Sequence, residues 1–202
     1  REVEIQSSLS HPSIVKFLGF SPIDFDKDFF PVIVIEYLKN DSLEQLLRIE
    51  RAGSDVPFWN DTMRLINLYV IAVSMQFLHS RNRIHRDLKP DNVILDKFLF
   101  PKLSDFGFAI PISGEEMIID EIVGTPAFIT PETYKQNIYS KAIDVFAFGM
   151  HVYEVMPKKM PFSDMKKFAI MLCISKNENF PQLDDQIPQK YRHLIEACWS
   201  LN

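Results

Sequence analysis

Apolar and polar positions alternate in two modes along the chain, and the switch between them is the first structural signal. Val15–Phe20 and Val32–Tyr37 are short runs of β-branched and aromatic residues, which predict strands. Ser21–Asp28 between them predicts a turn or a longer hairpin loop. Ahead of these runs, Arg1-Glu2-Val3-Glu4-Ile5 opens in the middle of a charged, helix-favouring stretch. His11-Pro12 ends it, because the residue before proline avoids the helical region. After Tyr37 the helical period dominates. Asn60-Asp61 caps a predicted helix with Ile66, Val70, Val73 and Phe77 on one face. Val93–Leu95 and Pro101–Leu103 predict two short strands, and from Pro131 onward helix prevails, including Ile143–Glu154 and Lys166–Ile174. Tyr191–Trp199 carries Leu194, Ile195 and Cys198 at helical spacing, then stops at Ser200-Leu201-Asn202 with nothing later to cover that face. Both ends read as cut. A strand-rich start and a helix-rich remainder predict an α+β fold of two unequal lobes joined near Glu36–Asn40, without internal repeats or low-complexity segments.

Composition narrows the class. The chain has 202 residues, 47% hydrophobic and 24% charged, enough apolar material for one large domain or two small lobes. Its 17 Phe argue against disorder. The longest apolar stretch, around Tyr69–Leu78, is about half what a bilayer crossing requires. No charged-then-apolar leader opens the chain, so a cytoplasmic protein without a membrane segment is expected. Cys173 and Cys198 lack metal-ligand spacing and form no disulfide framework. The balance of 22 Lys+Arg against 27 Asp+Glu gives −5, which argues against a general nucleic-acid binder. Without a leader, Asn40-Asp41-Ser42 and Asn60-Asp61-Thr62 are chance matches to the glycosylation pattern.

The chemistry concentrates in His85-Arg86-Asp87-Leu88-Lys89-Pro90-Asp91-Asn92 and in Ser104-Asp105-Phe106-Gly107. Asp87, Lys89 and Asn92 share one loop between a helix and a short strand, where a carboxylate, an ammonium and an amide can converge. Asp105 ends the second strand of the Val93–Leu103 hairpin, which returns it beside Asn92. A carboxylate and an amide oxygen are hard ligands suited to Mg²⁺, which prefers one or two protein oxygens plus substrate phosphates. Asp87 then remains to accept a proton from an attacking hydroxyl, and Lys89 to balance charge on a transferring phosphoryl group. Phosphoryl transfer needs those parts, because its catalysis is mainly positioning and charge stabilisation. Either tripeptide alone is an ordinary surface cluster or turn; the two in order, separated by a hairpin, are not a chance arrangement.

Together these segments resemble the signature set of eukaryotic protein kinases, and the resemblance covers nearly the whole chain. It implies ATP and Mg²⁺ as cofactors and a protein hydroxyl as acceptor. Asp87 matches the catalytic-loop base, Asn92 the second metal ligand and Asp105 the principal one. Thr130-Pro131-Glu132 stands for the family's Ala-Pro-Glu, and Gly124-Thr125-Pro126 resembles the substrate-receiving loop, with Thr125 near Asp87 and Lys89. Asp144 resembles the helix anchor beneath the catalytic loop. Glu36-Tyr37-Leu38 resembles the hinge that meets adenine, with Ile35 as gatekeeper, Ile94 in the adenine floor and Ser42 in the nucleotide-binding set. Ile35 and Ile94 are expected to serve in core packing as well. Glu2, nine residues before His11, fits the helix Glu that pairs with the strand Lys on the α/β-phosphates.

Lys89 after His-Arg-Asp-Leu resembles Ser/Thr kinases, whereas Glu36-Tyr37-Leu38, Asp41-Ser42-Leu43 and Cys198-Trp199-Ser200 resemble the tyrosine-kinase branch. The mixture resembles a tyrosine-kinase-like Ser/Thr kinase. The Gly-rich loop and strand Lys would precede Arg1, and the Arg partner of Glu132 would follow Asn202. The expected organisation is therefore a partial kinase domain over 1–202, inactive as a fragment, with 1–37 a remnant of the small lobe and 38–202 the hinge and large lobe. Two positions depart from the pattern. Gln6 stands where the family has an apolar residue stacked with Phe17, Phe106 and His85; either Gln6 finds a partner, Ile5 or Leu9 takes its place, or the active arrangement is weakened. Glu121 occupies the usual phosphorylation position, eleven residues before Glu132; either it pairs with Arg86 as an exposed ion pair or it belongs to a solvated acidic loop. The alternative to an active enzyme is a pseudokinase that binds and scaffolds.

Overall fold

A computed structural model describes residues 2–176, 180–183 and 187–200; Arg1 and the Leu201-Asn202 stop lie outside them. Helix α1 (Glu2–Ser8) leads into strands β1 (Phe17–Ser21) and β2 (Val32–Ile35), which pair antiparallel. The helix ends three residues before His11, and the hairpin loop extends beyond Asp28 to the start of β2. Helix α2 (Leu43–Arg51) follows, capped by Ser42, whose hydroxyl accepts from the Gln45 N–H at 3.3 Å. Helix α3 (Asp61–Ser80) is capped by Asn60, which accepts from the Met63 N–H at 3.1 Å.

The face of α3 carrying Ile66, Val70, Val73 and Phe77 is only half-buried. The stripe that enters the core is the adjacent one, Leu68, Ile71, Met75 and Leu78, and it includes Arg64, Asn67 and Ser74. Buried polar groups need partners, and each of these finds one across the fold. Arg64 ion-pairs with Glu50, Asn67 Oδ1 shares a 3.0 Å hydrogen bond with His151 Nε2, and Ser74 Oγ donates to Ser13 Oγ at 2.7 Å.

Strands β3 (Arg83–Ile84), β4 (Val93–Leu95) and β5 (Pro101–Leu103) frame the segment of interest. β4 and β5 form the expected hairpin, in register Val93 with Leu103 and Leu95 with Pro101. Residues 13–15 run alongside β5: the Val15 N–H donates to Leu103 O at 2.9 Å and the Leu103 N–H to Ser13 O at 2.8 Å. These bonds tie the strand-rich start to the hairpin. Strand β6 (Ile110–Pro111) pairs with β3, and β7 (Glu116–Ile118) pairs with β8 (Ile138–Ser140) beyond helix α4 (Pro131–Gln136). Helices α5 (Ala142–Val155), α6 (Lys167–Ser175) and α7 (Gln189–Trp199) complete the helical part.

One main core joins Ile5 of α1 and Leu9 just beyond it to Leu88, Leu103, Phe106 and Met150. A second, smaller one gathers Ile84, Ile110, Ile112, Tyr139 and Ile143 beneath the β3–β6 and β7–β8 pairs. The α7 face that was expected to lack a cover is covered in part by α5: Ile195 is fully buried and Cys198 and Trp199 lie against Gly149, while Leu194 is exposed. Burial pushes the Cys198 thiol up to about 11, so it stays protonated and acts as a small apolar group. Among the described residues no helix is long and apolar enough to cross a membrane.

Candidate active site

The 85–92 loop hangs from one buried carboxylate. Asp144, on α5 and 1% exposed, accepts the His85 N–H at 2.9 Å on Oδ2 and the Arg86 N–H at 3.0 Å on Oδ1. His79, near the end of α3, shares a further 2.9 Å hydrogen bond with Oδ2. Arg86 takes a left-handed backbone conformation, φ 68°, which a non-glycine residue holds only where its surroundings enforce it. The Asp144 bonds, and a 2.6 Å bond from Arg86 Nε to Phe108 O, supply that enforcement.

The turn presents Asp87 to three donors. Thr125 Oγ1 donates to Asp87 Oδ1 at 2.8 Å, Lys89 Nζ lies 2.9 Å from Oδ2, and Asn92 Nδ2 donates to Oδ2 at 3.0 Å and to the Asp87 carbonyl at 2.8 Å. Lys89 Nζ also donates to Thr125 Oγ1 at 2.7 Å, which closes the Asp87–Lys89–Thr125 triangle. The expected grouping of Asp87, Lys89, Asn92 and Thr125 is thus a direct hydrogen-bonded cluster. Gly124 makes it possible: its φ is 104°, and a Cβ there would sit 2.6 Å from Arg86 O. Only glycine passes that close without strain.

Asp105 follows β5 and is exposed, with φ 58°. Its Oδ1 accepts the Gly107 N–H at 3.2 Å. Ser104, its neighbour, donates to Asn92 O from both its N–H (2.8 Å) and its hydroxyl (2.9 Å), so the hairpin locks Asp105 beside Asn92. Both residues fit a hard cation. The Asn92 amide commits its NH₂ to Asp87 and keeps Oδ1 as an acceptor, and Asp105 Oδ2 takes no hydrogen bond among the described residues. Among the described residues no group of three or more His, Cys, Asp or Glu side chains could hold a metal alone. Two protein oxygens suit Mg²⁺ that draws its remaining ligands from phosphate and water. Glu2 lies at the same edge: its Oε2 would be 3.6 Å from a Cβ on Gly107. Phe106 is fully buried and meets the His85 ring edge-on, centroids 5.2 Å apart.

Other expected residues land differently. Ile35 is 41% exposed and Ile94 half-buried, so Ile35 does not serve as core: β1 and β2 form a two-stranded sheet whose outer face carries no further layer among the described residues. Glu36 anchors its segment with its side chain, accepting the Lys16 N–H at 2.8 Å and Lys102 Nζ at 2.6 Å. Burial opposes its charge, but the bonds from Lys102 and Lys16 prevail and hold its pKa below the usual carboxylate range. Leu38 is half-buried beside a largely exposed Tyr37, and Ser42 acts as the α2 cap and bridges to Ile94. Gln6 is 4% exposed, while Ile5 and Leu9 flank it in the core that holds Phe106. Glu132 is half-buried in the first turn of α4 and lines a groove of about 430 Å³ with Trp199. Glu121 is exposed, but Arg86 is not: at 6% exposure it lies in the interior, so the expected exposed pair does not describe it. The reason is Tyr139, whose ring centroid lies 5.2 Å from the Arg86 guanidinium. Sequence reasoning assigned no role to Tyr139 or His79. Their short-range patterns are those of ordinary strand and helix residues, and only tertiary contact reveals them.

Residues 1–202 match the family described as protein kinase domain. The dual specificity protein kinase shkD of Dictyostelium discoideum is 35% identical, over 100% of this chain and 26% of its own length. An Aurora kinase of Eremothecium gossypii is 32% identical over 96% of this chain and 50% of its own. The probable serine/threonine-protein kinase drkD of Dictyostelium discoideum is 31% identical over 98% and 15%. The chain thus spans half or less of the length of these relatives.

Proposed function

Because the chain belongs to the protein kinase domain family, we propose that it transfers the γ-phosphoryl group of ATP to serine or threonine hydroxyls of proteins, in the cytoplasm and as a tyrosine-kinase-like member of that family. The observation that carries this reading is the carboxylate of Asp87 shared by Lys89, Thr125 and Asn92. Asp87 Oδ1 accepts a threonine hydroxyl at 2.8 Å, the contact a substrate hydroxyl needs for its proton to leave. In the reaction the substrate oxygen forms the new O–P bond and the β–γ bridging O–P bond breaks. The proton passes to Asp87, and ADP leaves. Asn92 fixes the Asp87 carboxylate, and Lys89 places a positive charge beside the entering hydroxyl. Asp105 Oδ2 and Asn92 Oδ1 would hold Mg²⁺, which neutralises charge on the phosphates when bound. Glu2, Ile35, Glu36, Leu38, Ser42 and Ile94 form the nucleotide side in this reading, within a domain organised as 1–37 and 38–202.

Radiolabel transfer to serine, threonine and tyrosine peptides, beside calorimetric nucleotide affinity, tests it in the full-length protein. Asp87→Asn is expected to lower kcat by about 10²–10⁴ while Mg-nucleotide affinity stays within about threefold, because Asp87 is not a metal ligand here. Asp105→Ala is expected to lose both. Equal transfer to tyrosine peptides would point instead to dual specificity, as the name of shkD states for that relative. A second reading, a binding domain without turnover, is favoured by Gln6, a polar amide buried where an apolar residue belongs. Nucleotide binding without transfer from the wild-type protein would select it.

A further inference from the structure

What holds the 116–125 segment over the 85–92 loop is a separate question from what reacts there. Glu121 stands at the position that invited a charge pair with Arg86. Yet the group that ties this residue down is its backbone carbonyl, not its carboxylate: Tyr139 Oη donates to Glu121 O at 2.6 Å. Tyr139 is 1% exposed and sits in the middle of β8, opposite Met117 of β7. Its ring is packed among Ile84, Ile110, Ile112 and Ile143, which fixes it in place. The same ring has the Arg86 guanidinium carbon 5.2 Å from its centroid.

Two ends of one rigid side chain therefore touch both halves of the Asp87–Thr125 contact. The ring meets the residue immediately before Asp87. The hydroxyl meets Glu121, from which Ile122, Val123 and Gly124 lead directly to Thr125. The β7–β8 pairing and the bond from the Ile119 N–H to Asn137 O (3.1 Å) align the segment upstream of that point.

We propose that Tyr139 is a positioning residue for phosphoryl transfer. It holds the 121–125 segment against the 85–92 loop through a neutral hydrogen bond to backbone, so the arrangement requires neither a phosphate nor the Glu121 carboxylate. The inference rests on the kinase reading for its consequence in turnover, but the hold itself is a property of the fold. A neutral bond to a main-chain carbonyl survives any side chain at residue 121, whereas a charge pair does not. Because the ring is anchored in the smaller core, deleting the hydroxyl alone releases the segment without disturbing Arg86.

Tyr139→Phe and Glu121→Ala, each in the full-length protein after phosphatase treatment, form the test. Hydrogen–deuterium exchange of the 119–125 peptide and steady-state kinetics are read side by side. Y139F is expected to exchange this peptide about 2- to 12-fold faster and to raise the KM for peptide substrate by a similar factor, the range of one hydrogen bond. KM for ATP should not move, a split that general destabilisation would not produce. E121A should match wild type in both readouts. Wild-type exchange or wild-type peptide KM in Y139F overturns the proposal, as does an E121A protein that loosens as much as Y139F. Exchange needs no turnover: a wild-type protein that transfers nothing would count against the kinase reading alone, and the exchange of Y139F would still decide whether the hydroxyl holds the segment.

Discussion

Gly124 crosses the 85–92 loop so closely that a Cβ added to it would meet the carbonyl oxygen of Arg86 at 2.6 Å and Asp87 Oδ1 at 3.7 Å. The obstacle is backbone, held in turn by Asp144, so it has no rotamer into which to retreat. The glycine also sits at φ 104°, outside the range of L side chains. Gly124→Ala must therefore push Thr125 away from Asp87. Strain of about 1–3 kcal/mol corresponds to a roughly 5- to 150-fold fall in kcat/KM for peptide, with nucleotide affinity unchanged. Steady-state kinetics check this; wild-type peptide kinetics in the variant would mean that the segment is not seated over the loop during turnover.

Asp144 offers a stability test. Its two oxygens receive three donors in a site sealed from water. Asp144→Asn keeps the shape but turns one acceptor into a donor facing a donor. Leaving such a group unsatisfied costs about 1–3 kcal/mol, so Tm is expected to fall by roughly 2–12 °C at this chain size. Transfer activity should fall further than the loss of folded protein explains, because the same bonds hold Arg86 in its left-handed turn. Thermal unfolding by circular dichroism, with activity normalised to folded protein, checks both.

How much of this was legible in the sequence follows from the range of each interaction. The β4–β5 hairpin and the Asp87–Asn92 loop were legible because their chemistry is local: strand propensity, a proline, and side chains within one turn of each other. Asp144 and Thr125 were legible only through resemblance, since nothing in their own neighbourhoods points to the loop they meet. The buried face of α3 was misjudged by one stripe. Arg64, Asn67 and Ser74 look like surface residues until Glu50, His151 and Ser13 arrive from elsewhere in the chain to satisfy them. Of the two readings of Glu121, the exposed carboxylate agrees with the solvated loop, and the contact there is made by the backbone carbonyl, which sequence reading cannot assign. Strands of two or three residues, such as β3 and β6, carry too few positions for any periodicity to register.

Gln6 makes a different kind of test. The residue is 4% exposed, between Ile5 and Leu9 of the core, but its amide is not among the fully sealed polar groups left without a partner. Holding an amide in a mostly apolar site with partial compensation costs about 0.5–2 kcal/mol, which Gln6→Leu would remove. Tm is expected to rise by roughly 1–8 °C. A fall would mean that the amide has a partner in solution and that the α1 face is built around it.

His151 and Glu154 couple stability to pH in opposite directions. The ring is fully buried on α5, and burial alone pushes its pKa down to about 3. Nε2 meets Asn67 Oδ1 at 3.0 Å, while no acidic side chain is bonded to the ring. Unfolded, the imidazole titrates near 6.5. Between the two values the unfolded chain binds a proton that the folded chain refuses, so the contribution of His151 to stability falls as pH drops below about 6.5, by about 1.4 kcal/mol per pH unit. Glu154, one turn along the same helix, works in the opposite direction. Burial lifts its pKa to about 8 against the pull of Arg51, so its contribution is present at low pH and is lost as pH rises through 8. Comparing wild type with His151→Phe cancels the Glu154 contribution, which both proteins share. Urea unfolding at pH 7 and pH 5 should show wild type losing about 2 kcal/mol more than the variant over that interval. Equal losses in the two proteins would mean that His151 gains a proton without unfolding, and that the Asn67–His151 contact opens to water before the fold does.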